Sequence, residues 1–246
     1  MESANIVGYN TVTLKPGWNM LAVNFKNVAN DDGIDINDLF PGGGKSDTVF
    51  TPGANQTAAD YIQVWDGATG GYTMYLLYKP AKGTSAATYY WTDASFKVTD
   101  KKFKNGDAFW FYSRGKEDVT ANISGEVFLD AVKSVEIKPG WNMIGSFFPA
   151  GLKLNDEYYT PTYWQNSGAI PGANQTAADY IQVWDYATQG YTMYLLYKPS
   201  KGSSTATYTW TDPSFKTVTT DILTPGKGAW YYHRGEGFNL EIKKQF

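Results

Sequence analysis

From Pro52 to Asp93 the chain writes a phrase that it writes again from Pro171 to Asp212, and 36 of the 42 aligned positions are identical. All fifteen residues of PGANQTAADYIQVWD and all ten of GYTMYLLYKP return unchanged. A repeat this close ties both copies to one local structure, so the fold must seat the same unit twice. The flanking phrases return with drifting offsets. Trp18-Asn19-Met20 reappears as Trp141-Asn142-Met143, 123 residues on; the central phrase is offset by 119 and the aromatic strand around Trp110 by 120. Loops absorb drifts of this size, and the four extra residues of the first copy fall within 30–47, a polar, Gly-rich stretch. The expectation is two tandem homologous domains, 1–128 and 129–246, joined near Phe128 to Ser134, each a β-sandwich or barrel-like unit. A single barrel or sandwich built from both halves is the alternative.

The all-β class follows from how the phrases read. Asp60 to Trp65 sets Ile62 and Val64 on one face and Tyr61, Gln63 and Trp65 on the other, as a strand does. Asp66 to Gly71 turns the chain, Tyr72 to Tyr78 returns as the hairpin partner, and Pro80 stops it. A third strand is clearest in the second copy, where Ala206, Tyr208 and Trp210 alternate with Thr207, Thr209 and Thr211; the aromatics are expected inside and the threonines in water. Further strands are read at Ile6 to Leu14, Trp18 to Val23, Asn105 to Tyr112, Val119 to Val127, Pro225 to Tyr232 and Phe238 to Ile242. Trp18 and Trp141, each after a Pro-Gly turn, are expected in the cores. No segment longer than about ten residues carries helical periodicity. Aromatics make up 17% of the chain, which suits short strands joined by turns.

Several function classes are excluded. A net charge of -3 and a pI near 5.2 offer no surface to neutralise phosphates, so no nucleic-acid partner is expected. There is no cysteine, which removes thiol catalysis and thiolate metal sites. The one histidine, His233, faces Ser113 in the other copy, too little for a serine triad or a His-based zinc site. No run of about 18 apolar residues marks a membrane span. Asp60, Asp66 and Asp93, with twins Asp179, Asp185 and Asp212, are the only candidates for a carboxylate pair. Each borders a turn, where Asp normally bonds local backbone. Asp31, Asp32, Asp35 and Asp38 invite a calcium reading, but their spacing does not match an EF-hand; Asp35 capping a turn over Ile36 to Phe40 is the better reading. No catalytic residue, cofactor or metal is assigned, and the chain is not expected to be an enzyme.

Leu14 to Met20, Val64 to Asp66, Gly106 to Trp110 and Ser124 to Val127 follow a Gly-Trp-Asn-(Leu/Met), Trp-Asp, Gly-x-(Gly/Ala)-(Phe/Tyr)-Trp pattern, repeated at Ile137 to Met143, Val183 to Asp185 and Gly226 to Trp230. This pattern resembles a loosely defined family of secreted and cell-surface β modules of bacteria. The resemblance implies an extracellular or cell-surface location; Met1 directly before Glu-Ser-Ala-Asn fits an initiator set on a mature start, with a cytosolic protein and a native start as the alternative. The absence of catalytic constellations and the duplicated segment lead to the expected function, a non-catalytic structural or adhesive role with a duplicated surface that engages other copies of the chain or another surface protein. A bivalent carbohydrate-binding protein is the alternative, because Tyr and Trp faces stack on sugar rings. The candidate surface is Tyr61, Gln63, Trp65, Tyr72 and Tyr75, with Tyr180, Gln182, Trp184, Tyr191 and Tyr194 in the second copy.

Overall fold

A computed structural model describes residues 6–29, 32–40, 49–80, 89–199 and 208–244. The described residues are nearly all β. The first half runs β1 (Val7–Leu14), β2 (Gly17–Ala22), β3 (Phe25–Lys26), β4 (Ile34–Asp35), β5 (Tyr61–Asp66), β6 (Gly71–Tyr78), β7 (Tyr90–Thr92), β8 (Lys102–Phe103), β9 (Ala108–Ser113) and β10 (Val119–Val127). The second runs β11 (Val132–Ile137), β12 (Gly140–Gly145), helix α1 (Pro161–Ser167), β13 (Tyr180–Asp185), β14 (Gly190–Tyr197), β15 (Thr209–Thr211), β16 (Gly228–His233) and β17 (Phe238–Lys243).

Each half contains an antiparallel five-stranded sheet, and the two sheets share one strand order: β2-β9-β5-β6-β7 and β12-β16-β13-β14-β15. The hairpin register is the same in both, with Gln63 opposite Met74 and Gln182 opposite Met193. The Pro-Gly turns that launch β2 and β12 place Gly17 and Gly140 at φ 88° and 84°, where a Cβ would clash with the chain's own backbone.

Side-chain alternation then fixes the layers. In β1, Val12 and Leu14 point inward and Thr11 and Thr13 outward. In the first half, β1, β3 and β10 form a second sheet whose inner face meets Ile62, Leu77, Trp91, Phe109 and Phe111 of the five-stranded sheet. The second half covers its five-stranded sheet with the ribbon β11-β17 and with α1, whose Trp164 is fully buried against Trp210. Burying such aromatics is the main stabilising term of both cores.

Two expectations need correction here, and one element lay below what periodicity shows: the helix α1, at seven residues, whose ends were written in the chain. Thr160 caps it by accepting from Tyr163 N at 3.2 Å, Pro161 opens it, and Gly168 closes it at φ 99°. Thr92 and Thr211 are buried rather than facing water, because the turns after β7 and β15 fold back as isolated bridges, Thr92 to Val98 and Thr211 to Thr217. Ala206 and Thr207 lie outside the described residues. Trp18 is only half-buried and Trp141 is 36% exposed, so neither is a core residue. In β2 and β12 it is Leu21 and Ile144 that face the cores; Trp18 and Trp141 alternate onto the opposite face of the sheet.

In the acidic loop, Asp35 does cap the turn, accepting from Asn37 N at 2.8 Å. Asp32 lies 3.7 Å from Lys102, Asp31 lies outside the described residues, and among the described residues no group of three or more His or acidic side chains is placed to hold a metal ion.

Candidate functional site

The outer faces of the two five-stranded sheets meet each other, and their contacts come in matched pairs. Trp65 Nε1 donates to Trp141 O at 3.2 Å, and its twin Trp184 Nε1 donates to Trp18 O at 3.0 Å. Trp65 meets Trp230 edge-on at 5.3 Å and 88°; Trp184 meets Trp110 at 5.2 Å and 89°. Each half thus gives the other the same groups it receives, the arrangement of a two-fold interface held within one chain. The indoles cluster around Met20 and Met143, which fill the space between them.

Two clefts flank this seam. One, of about 250 Å³, is lined by Trp65, Tyr72, Trp141, Gln182, Tyr191 and Trp230. The other, of about 330 Å³, is lined by Trp18, Gln63, Tyr72, Trp110, Trp184 and Tyr191. Each pairs five aromatic side chains with one glutamine, and Tyr72 and Tyr191 belong to both. These two tyrosines are 45% and 44% exposed, so the clefts open to solvent. Partial burial raises both phenols above the ordinary tyrosine value, offset by hydrogen bonds with the indoles of Trp110 and Trp230.

Of the ten candidate surface residues, the structure brings six to the clefts: Gln63, Trp65 and Tyr72, with Gln182, Trp184 and Tyr191. Tyr61 and Tyr180 do not reach the surface. They stack on Tyr112 and Tyr232 at 5.0 and 5.1 Å, and Arg114 and Arg234 lie over those partner rings at 4.4 and 4.9 Å. Tyr75 and Tyr194 are one position out of phase with Met74 and Met193, so they leave the seam and pack on the two cores. The sequence reading missed Trp18, Trp110, Trp141 and Trp230 as cleft walls. A period-two alternation of Trp18 with Met20 and of Trp110 with Tyr112 was the available signal, but it does not say which face is doubly covered.

The acids that bordered turns bond local backbone. Asp66 and Asp185 accept from Ala68 N and Ala187 N and from the Thr69 and Thr188 hydroxyls, which holds both carboxyls below the usual range. Asp93 and Asp212 accept from Ser95 N and Ser214 N. Asp60 and Asp179 are buried behind the hairpins: Asp60 accepts from Thr51 N and Arg114 N, and Asp179 from Ile170 N and Arg234 N. Burial pushes Asp60 up to about 6 against those amides. Asn55 and Asn174, in the two Asn-Gln-Thr phrases, accept from the amide and hydroxyl two residues on, as polar turns do.

No helix among the described residues is long and apolar enough to cross a membrane. Comparison of the chain with protein-family models, curated proteins and solved structures found no match.

Proposed function

We propose that the protein is a non-catalytic structural or adhesive component of the cell exterior, and that it engages a partner, either other copies of the chain or another surface protein, through the paired aromatic clefts. The observation that carries this reading is the position of Tyr72 and Tyr191. They are large aromatics left half in water at a concave site, whereas most of the chain's aromatics are packed. Rigid aromatic side chains at an accessible concavity are the usual anchors of recognition. Two equivalent sites on one chain gain avidity through effective concentration, which gives a use to a duplicated surface. The extracellular placement rests on the resemblance of the Trp-Asn and Trp-Asp phrases to secreted modules.

The glycan alternative is favoured by one feature of its own, the amide of Gln63 or Gln182 beside aromatic rings in each cleft. Sedimentation velocity across a concentration series tests self-association, a glycan array tests sugars, and adhesion of protein-coated beads to bacterial surfaces tests other partners. The paired variant Tyr72→Ser with Tyr191→Ser is expected to lose the positive signal while keeping the parent's melting temperature within a few degrees. A parent protein silent in all three assays, or a variant that behaves as the parent does, refutes the proposal.

A further inference from the structure

We infer that each cleft is an aromatic cage for an organic ammonium group, with the quaternary ammonium of a choline-like headgroup as the ligand class. This rests on the reading of the clefts as the interaction site and names what they bind. The first support is the steepness of the walls. Trp65 and Trp230 stand at 88°, Trp141 and Trp230 at 73°, and Tyr72 and Trp230 at 77°, with twin angles of 89°, 72° and 77° in the other cleft. Parallel platforms suit a flat sugar ring; rings meeting at steep angles surround a compact cation, which several electron-rich faces attract at once.

The second support is the scarcity of donors. The indole N–H groups of Trp65 and Trp184 are spent on backbone carbonyls across the seam. A sugar presents several hydroxyls, each costly to leave unpaired, whereas a quaternary ammonium needs no hydrogen bond. The third support is charge. Lys227 lies 3.5 Å over Tyr186, and Arg114 and Arg234 cover Tyr112 and Tyr232, yet among the described residues no lysine or arginine lies over a cleft ring. Volumes of about 250 and 330 Å³ fit a headgroup rather than a larger ligand.

Tryptophan fluorescence and calorimetry with choline and tetramethylammonium test this on the whole chain, with 3,3-dimethyl-1-butanol, choline's uncharged isostere, as the control. Saturable binding at two sites per chain is expected, with the isostere weaker by about tenfold. Tyr72→Ser with Tyr191→Ser should weaken choline binding by about tenfold or more, since each ring walls both clefts. Phosphatidylcholine vesicles against phosphatidylglycerol vesicles then separate a lipid headgroup from a free or polymer-borne choline. Equal binding of choline and isostere, choline binding unchanged in the variant Tyr72→Ser with Tyr191→Ser, or no response to choline overturns the cage. If adhesion, self-association or array signals that need Tyr72 and Tyr191 persist in that case, the interaction site stands and only its ligand class falls; if they vanish too, both fall.

Discussion

At one end of the seam the tip of the second hairpin reaches across and Tyr186 donates to Met20 O at 2.9 Å; at the other end the same hairpin position is Gly67, and a groove of about 350 Å³ runs beside Met143, the twin of Met20. The joints next to these tips differ in kind as well. Asn24 is fully buried, accepts from Asn10 Nδ2 and Gly226 N, and donates to Ser146 O and Phe148 O. Its counterpart is Phe147, which lies so close over Gly106 that a Cβ there would come within 1.9 Å of the ring. The two meet at one junction, because the acceptors Ser146 O and Phe148 O flank Phe147: a polar knot set beside an apolar plug. The sheet faces that both ends share stay nearly identical in sequence, so the two-fold match constrains the faces while the joints are free to take different chemistry.

A parallel contrast lies behind the hairpins. Asp60 is held by two backbone amides, with Ser113 and Phe111 at the positions where the second half has His233 and Tyr231. Asp179 keeps the two amides and adds the Tyr231 hydroxyl at 3.0 Å and His233 Nδ1 at 2.7 Å, while His233 Nε2 faces Glu236 O. The same carboxylate is thus solved once with backbone and once with a side-chain network.

If the polar knot dominates the seam, Asn24→Ala should be the most damaging change, about 4 kcal/mol or more, because it orphans several buried groups at once. Phe147→Ala should cost about 3 to 4 kcal/mol through lost burial. Chemical denaturation of both variants sets the order, and a smaller loss at Asn24 would make the plug the stronger joint. Turning the second pocket toward the first with His233→Ser should cost about 2 to 3 kcal/mol, since Asp179 keeps its amides and Tyr231. A cost near zero would make the network ornamental.

Asp60 predicts a pH effect of opposite sense to an ordinary ion pair. Its folded value, about 6, lies above the ordinary carboxylate value of 3.8, so protonation favours the folded state. Stability from this group rises as pH falls through 6 and levels off below 3.8, by on the order of 3 kcal/mol. Melts of the parent against Asp60→Asn between pH 7 and pH 4 isolate it, and a parent that shows no relative gain in this window refutes the assignment. The smallest effect should come from Gly67→Tyr, which copies Tyr186 into the open groove. A Cβ at Gly67 would meet nothing nearer than 3.6 Å, so the change should stabilise by about 1 kcal/mol, read as a rise in melting temperature.

Strand positions were legible because they rest on local rules. The Tyr-Ile-Gln-Val-Trp-Asp alternation, the turn after it and the Pro-Gly launch at Gly17 and Gly140 each depend on a few neighbouring residues. The seam was not legible, because alternation shows that a strand has two faces without showing what covers the second. Tyr61 and Gln63 occupy the same face of β5, yet Tyr61 lies under Arg114 and Tyr112 while Gln63 opens into a cleft; contacts from residues far along the chain decide it. The helix α1 was missed for another reason: at seven residues it is too short for periodicity, and only its caps mark it.

The bond from Trp184 to Trp18 O spans 166 residues of chain, and β5 and β13 carry the same hexapeptide. While the chain folds, β9 can therefore zip onto either copy in the same register with the same side-chain pairs, and sequence gives it no means to tell them apart. What separates the native pairing from its swapped twin is chain connectivity and the dissimilar joints, which close only after both sheets exist. Asn24 meets the glycine turn at Gly226 and Phe147 the one at Gly106, so these two dissimilar contacts belong to the native pairing alone.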